Sequence, residues 1–374
     1  MNMNMLIFVG LSALLTFVAV LFAWQLYKVF KRFSVKKHYT AALKAPSVSV
    51  CIPARNETHA MTRCLENVLA SDYEKLEVIV FDDDSADDTS ILIKSFAHAG
   101  VRFVPGTSLP EGWLGKNHAL DVLAKEASGT YIIFLDVDAT VTPTTISQLV
   151  SYMMTEKMDM ISIFPRRNDA WRISVLFGPL RYFWQLLFSR KAAPASSSAL
   201  WMISRKVLLK ELGGMVSFKS DIQPEMQIAL SLHSGRAHTL LANDTLGVSF
   251  EKRWSSQVET SRRLLYPMAG GSWWGGVLAI AGLLLLNVPF FTVLSAFYFG
   301  WNEEQIVALW FVCVYSAMYA LYTYRMWRSK WWLGGILWSV VILQELCLFI
   351  YSVIGYVTKT ITWKGRLVTK TRTG

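Results

Sequence analysis

Two aspartates one residue apart, Asp136 and Asp138, follow the apolar run Tyr131-Ile132-Ile133-Phe134-Leu135. At the end of a strand such a pair can share a hard divalent cation, which takes oxygen ligands and leaves positions for phosphate oxygens. A nucleoside diphosphate departing from a sugar needs that help, because negative charge builds on it as the bond breaks. Solvated turns show the same spacing, so the weight comes from its place behind an apolar run. A second cluster, Asp82-Asp83-Asp84-Ser85-Ala86-Asp87-Asp88-Thr89, ends the run 76–81. Asp87 and Asp88 suit a helix cap. Asp82 and Asp83, at the strand terminus, are placed to accept hydrogen bonds from a nucleobase or ribose. In a third segment, Pro53-Ala54-Arg55-Asn56-Glu57, Arg55 can meet a phosphate or pair with a neighbouring acid. Asn56 there suits a capping turn. Finally, Lys116 follows the flexible Gly115 and suits phosphate contact, whereas the nearby His118 reads first as structural.

These groups need a scaffold that brings them to one edge. Residues 48–52, 76–81 and 131–135 are short β-prone runs, and the last is apolar throughout, as a strand covered on both faces would be. Helical patterns at 59–69, 90–98 and 117–127 separate them. The alternation predicts an α/β fold with a mostly parallel, doubly wound sheet, in which ligands sit at the carboxyl ends of the strands.

The order Pro-Ala-Arg-Asn-Glu, Asp-Asp-x-Ser-x-Asp-x-Thr, Asp-x-Asp, each behind a strand, resembles the family 2 glycosyltransferases of GT-A fold over roughly residues 47–265. The segment Pro110-Glu111-Gly112-Trp113-Leu114-Gly115-Lys116-Asn117-His118-Ala119 narrows the resemblance, as does the tail motif Trp363-Lys364-Gly365-Arg366. Together they are similar to the branch holding the chlorobactene and diaponeurosporenoate glucosyltransferases. That resemblance implies a nucleotide-sugar donor, UDP-linked, with Mg²⁺ or Mn²⁺. Asp138 would be the principal metal ligand with Asp136 beside it, and Asp83 would contact the uracil. Lys116 would face the phosphates, and Pro53, Arg55, Glu57, Asp82 and Asp136 would complete the donor site. In the family the catalytic base lies in an acidic pair shortly after a Gly-Gly turn. Here Gly213-Gly214 is followed by Asp221-Ile222-Gln223-Pro224-Glu225. Glu225 takes the base position, with Pro224 where its acidic partner would be and Asp221 as runner-up. A base there implies single displacement with inversion. At the start of a helix, Glu225 also suits the dipole.

The 374 residues are 53% hydrophobic and carry a formal charge of +10. The apolar residues concentrate at the ends. Residues 5–27 form an anchor-length run followed at once by Lys28, Lys31, Arg32, Lys36 and Lys37, which marks a retained anchor rather than a cleaved signal. The expected division is a 1–46 anchor, a 47–265 catalytic domain and a 266–374 membrane region with a basic tail, in the inner membrane with the catalytic domain cytosolic. Runs 274–299, 306–324 and 331–357 are candidate spans. Three full crossings would put the basic tail outside, against the positive-inside rule. One run is therefore expected to be re-entrant or interfacial, and Pro289 singles out the first. The four cysteines have no metal-ligand spacing and fit a reducing compartment. No nucleic-acid partner is expected, because the basic residues form no stripe with interleaved aromatics. The expected partners are a nucleotide sugar, the membrane and a lipid-like acceptor: a carotenoid or other terpenoid, a polyprenyl phosphate or a glycerolipid. Two alternatives stay open. One is a polysaccharide-forming synthase, although the Gln-x-x-Arg-Trp of processive members is absent. The other is a non-catalytic membrane protein that keeps the nucleotide-binding fold.

Overall fold

The computed structural model describes residues 3–34, 45–167, 180–189, 194–232, 235–327 and 330–368. Lys36 and Lys37, counted above among the basic flanks, lie outside them. The first three polar motifs end strands β1 (Val48–Ala54), β2 (Leu76–Asp82) and β4 (Tyr131–Leu135). With β3 (Val101–Pro105) these form the parallel half of a seven-stranded sheet of order β3-β2-β1-β4-β8-β6-β9. β8 (Leu200–Ser204) runs antiparallel between β4 and β6 (Met160–Phe164), and β9 (Ala237–Leu241) returns parallel to β6. The mostly parallel α/β fold read from the sequence is the one observed.

Side chains alternate across each strand, and here both faces are apolar. Val50, Ile52, Val80 and Ile133 enter one buried cluster, Cys51, Ile79, Phe81, Ile132 and Phe134 the other. Helix α2 (Met61–Leu69) covers the first face with Met61, Cys64, Leu65 and Val68. On the opposite face, α4 (Gly115–Glu126) buries Ala119, Leu120, Leu123 and Ala124. Each large side chain so buried contributes about 1.5–3 kcal/mol. This rigid double cover fixes where the strand ends point. A small sheet, β5 (Ala139–Thr140), β10 (Ser249–Phe250) and β7 (Arg166–Arg167), braces the loop beyond Asp138. There the Glu251 N–H donates to the Asp138 carbonyl at 3.1 Å.

Four helices are long and apolar enough to cross a membrane: α1 (Met3–Phe33), α9 (Trp273–Phe299), α10 (Glu303–Met326) and α12 (Trp338–Val357). The Tyr315 hydroxyl donates to the Leu15 carbonyl at 2.9 Å, joining α10 to α1. The run holding Pro289 forms one continuous helix, α9. The break lies in the third run, where the short α11 (Trp331–Ile336) precedes α12. Both ends of that run touch the catalytic domain: Trp327 pairs with Arg167, and the hairpin β11–β12 (Thr362–Trp363, Arg366–Leu367) reaches Asp83. Gly335 permits the close descent of α11, because a Cβ there would lie 2.8 Å from the Ala320 side chain and 3.0 Å from the Ser316 carbonyl.

Candidate active site

The strand-end acids do not point at solvent. Asp83 is 3% exposed, and Arg366 reaches its two oxygens at 3.0 and 2.7 Å. Arg55 bonds the Asp83 and Asp84 carbonyls and approaches the Asp83 carboxylate at 3.9 Å. Burial pushes the Asp83 pKa up, and Arg366 and Arg55 offset part of that rise. Glu57 pairs with Lys364 at 2.7 Å, and its carboxyl too is raised by burial. Pro53 is half-buried within β1, one register position from the strand end.

The turn at Gly115 and Lys116, which opens α4, joins the two acid groups. A Cβ on Gly115 would lie 3.0 Å from an Asp83 oxygen and 3.1 Å from Arg366, so this backbone is pressed against Asp83. The next residue, Lys116, forms an ion pair with Asp136. Ser198 donates to the other Asp136 oxygen at 3.2 Å. Lys252, placed by β10, holds Asp138 at 3.3 Å. Burial resists ionisation of Asp138, but Lys252 outweighs it and holds the carboxyl below the usual range.

Among the described residues no three His, Cys, Asp or Glu side chains gather as a cation site. The donor set fits a divalent ion only partly. Asp136 and Asp138 offer hard oxygens, and the remaining ligands must come from a phosphate-bearing partner and water. Lys116 and Lys252 currently supply the positive charge that the carboxylates require.

Asp136, Lys116 and Ser198 connect to the candidate base through a cavity. Lys116 and Ser198 line it with Glu225, Gln223, Arg181 and Arg263. Glu225 stands in the first turn of α7 (Pro224–Ser231), opened by Pro224 at a position that needs no backbone N–H. It is 3% exposed, and its pKa is raised by burial, with Lys116 pulling the other way. A carboxyl held this way suits general base work near neutrality.

Not every expected residue joins the site. Asp82 accepts bonds from the Ser85 and Ser90 hydroxyls and is committed to shaping its own turn. Asp221 is absent from the cavity lining, and its carbonyl accepts the Asn117 amide at 2.8 Å. Asp87 holds Thr89 and Thr58, as a helix-start acid does. Asn56 caps no helix; at φ 52° its side chain accepts the Ala86 N–H at 2.9 Å and ties the Arg55 turn to the acidic loop. His118 packs edge-on to Phe81 and Trp113. Conversely, Arg181, Lys252 and Ser198 drew no attention in the sequence. Only the tail motif around Lys364 and Arg366 carried a signal.

The description Glycosyl transferase family 2 matches residues 49–210, so the chain carries a domain of that family. A UDP-Glc:alpha-D-GlcNAc-diphosphoundecaprenol beta-1,3-glucosyltransferase of Escherichia coli is 32% identical over 30% of this chain and 43% of its own length. A 4,4'-diaponeurosporenoate glycosyltransferase of Staphylococcus haemolyticus is 35% identical over 25% of this chain and 24% of its own. The chain thus spans less than half the length of these curated relatives. Among solved structures, a mannosyltransferase from Pyrobaculum calidifontis in complex with GDP-Man and Mn²⁺ shares the fold. Its TM-score is 0.54 at 18% identity, over 94% of this chain and 98% of that one.

Proposed function

We propose that the chain is a membrane-bound inverting glycosyltransferase that moves a sugar from a nucleotide sugar, UDP-linked, to a lipid-like acceptor at the cytosolic membrane face. The observation that carries this reading is the continuous path Asp83–Gly115–Lys116–Asp136, which opens into the cavity of Glu225. In it Asp83 receives the nucleobase once Arg366 yields, and Arg55 and Glu57 frame that end. Lys116 and Lys252 meet the phosphates. Asp136 and Asp138 hold Mg²⁺ or Mn²⁺, which offsets the charge of the leaving diphosphate. Glu225 takes the proton of an acceptor hydroxyl as that oxygen attacks the anomeric carbon, and the nucleoside diphosphate leaves from the opposite face. The relatives named above act, by their names, on a diphosphoundecaprenol and on a carotenoid acid, which supports a lipid-like acceptor. Membrane helices packed beside the cavity support the same class.

The test is to incubate membranes holding the wild-type or Asp138→Ala chain with labelled UDP-glucose and Mn²⁺ and to identify lipid products by mass spectrometry. A labelled lipid from the wild type alone supports the reading. No donor binding and no consumption with any lipid extract overturns it.

A further inference from the structure

A second cavity adjoins that of Glu225, and the two share Arg181 and Tyr182. It lies between the catalytic domain and α10, lined by Arg167, Lys252 and Gln257 on one side and by Tyr319, Tyr322 and Met326 on the other. Its lining includes three cationic side chains and no carboxylate. Of these, Lys252 is paired with Asp138 and Arg167 donates to Gln257 at 3.0 Å. Arg181, stacked on Tyr182 at 4.4 Å, has no acidic partner among the described residues. In the Glu225 cavity, Arg263 likewise has no acid in ion-pair contact among them, and its buried Nε lacks a hydrogen-bond partner. Burial and the charge of Arg181 both press the Arg263 pKa down, yet a guanidinium stays charged in proteins. Ser196, 2% exposed with an unpartnered hydroxyl, and the Gln185 side-chain oxygen, also unpartnered, line the same space.

Two half-buried guanidinium groups with no acid in ion-pair contact among the described residues, in one cavity, are placed to hold an anionic group with charge-assisted hydrogen bonds. Arg181 is also held in place. It begins α6 (Arg181–Leu187), whose start is fixed by Glu345 of α12. That carboxylate, 1% exposed, accepts from the Leu180 N–H at 3.1 Å and the Trp184 indole at 3.0 Å. The cavities take in Lys116 and Lys252, which would meet the diphosphate, but not Arg55, Glu57 or Asp83, which would hold the nucleoside. The cavity shared with α10 is walled on one side by Tyr319, Tyr322 and Met326 of that apolar helix.

We infer that the joined cavities are the acceptor site and that they take an anionic amphiphile. A phosphate or carboxylate group rests between Arg181 and Arg263, the attacking hydroxyl faces Glu225, and the apolar chain lies along α10 at Tyr319, Tyr322 and Met326. The inference deepens the proposed function and rests on it, since it specifies the acceptor of the same reaction. The oxygen that attacks is separate from the anionic group, so the proton still goes to Glu225 and the nucleoside diphosphate still departs.

The experiment uses the full chain in neutral phosphatidylcholine nanodiscs and two probes of equal chain length, each with a free hydroxyl. One is 1-oleoylglycerol 3-phosphate and the other 1-oleoylglycerol. UDP-glucose binding with Mn²⁺ is measured on the same preparation. The expected result is tighter binding of the phosphate probe by about tenfold or more. Arg181→Ala and Arg263→Gln should erase that preference, Arg181→Lys should restore part of it, and donor affinity should change little. Inorganic phosphate should not displace the probe, because it lacks the chain. Equal affinity for the two probes overturns the inference, and so does displacement by inorganic phosphate alone. If Arg181→Ala weakens UDP-glucose as much as the lipid, the cations serve the donor and the inference is overturned. A wild type that binds no UDP-glucose overturns the proposed function itself, whereas equal probe affinities with intact donor binding overturn only the acceptor assignment.

Discussion

The strand ends of β1, β2 and β4 and the cavities between α6, α7 and α10 hold similar numbers of charged groups, settled in opposite ways. On the strand-end side every site acid has a cation: Asp83 has Arg366, Glu57 has Lys364, Asp136 has Lys116 and Asp138 has Lys252. On the membrane side Arg181 and Arg263 share a cavity with Glu225, but among the described residues none of the three lies in an ion pair. The first arrangement is charge-balanced, with a lysine or arginine in contact with each acid. In the second no ion pair forms among the described residues, so its guanidinium groups keep donors free for an anionic ligand. Each side therefore declares the sign of what it binds.

The largest break in this contrast should come from Asp138→Ala. Removing the principal oxygen ligand should lower kcat/KM by about 10³, on the several kcal/mol that a metal contributes to leaving-group charge. Initial rates with Mn²⁺ check it. Glu225→Gln should lower kcat by roughly 10²–10³ while donor affinity holds, because only the proton acceptor is lost. Its pH profile sharpens the point. Burial raises the Glu225 pKa, so wild-type kcat should fall as pH drops through a value above the ordinary glutamate range, and the variant should lose that limb. Unchanged turnover in Glu225→Gln would move the base elsewhere.

Smaller effects test how the sides are held. Glu345→Ala leaves the Leu180 N–H and the Trp184 indole without their acceptor, at about 1–3 kcal/mol each. Thermal unfolding in detergent should fall by several degrees, with Glu345→Gln between the variant and the wild type. Arg366→Ala should act least at neutral pH. Asp83, already raised by burial, then loses its strongest opposing charge, so its ionised form disappears at a higher pH than before. The donor KM of that variant should rise more at about pH 6 than at about pH 8, relative to wild type. A pH-independent ratio would mean that Asp83 is not read as a carboxylate.

The strand-end side was the legible one. β1, β2 and β4 announce themselves by local composition, and the motif follows each strand immediately, so sequence order preserves spatial order. The acids were legible but their partners were not. Arg366 meets Asp83 across 283 residues and Lys364 meets Glu57 across 307, distances over which no periodicity speaks. Asp82 misled because its position at the strand end resembles that of Asp83, and only the hydroxyls of Ser85 and Ser90 decide which way it turns. The antiparallel β8 was not anticipated, yet it carries the chain from Ser198 beside Asp136. Arg181 was invisible for a related reason, since its place depends on Glu345 from a different apolar run. The helix break at Leu337 was not legible, because no proline marks it, whereas Pro289 is accommodated inside a continuous helix.

The most direct measurement of the central claim is calorimetric titration of the detergent-solubilised wild-type chain with UDP-glucose, in Mn²⁺ and then in EDTA. If Asp136 and Asp138 grip a cation that neutralises the diphosphate, Mn²⁺ should tighten binding by about tenfold or more. Equal affinity in the two buffers would contradict the account.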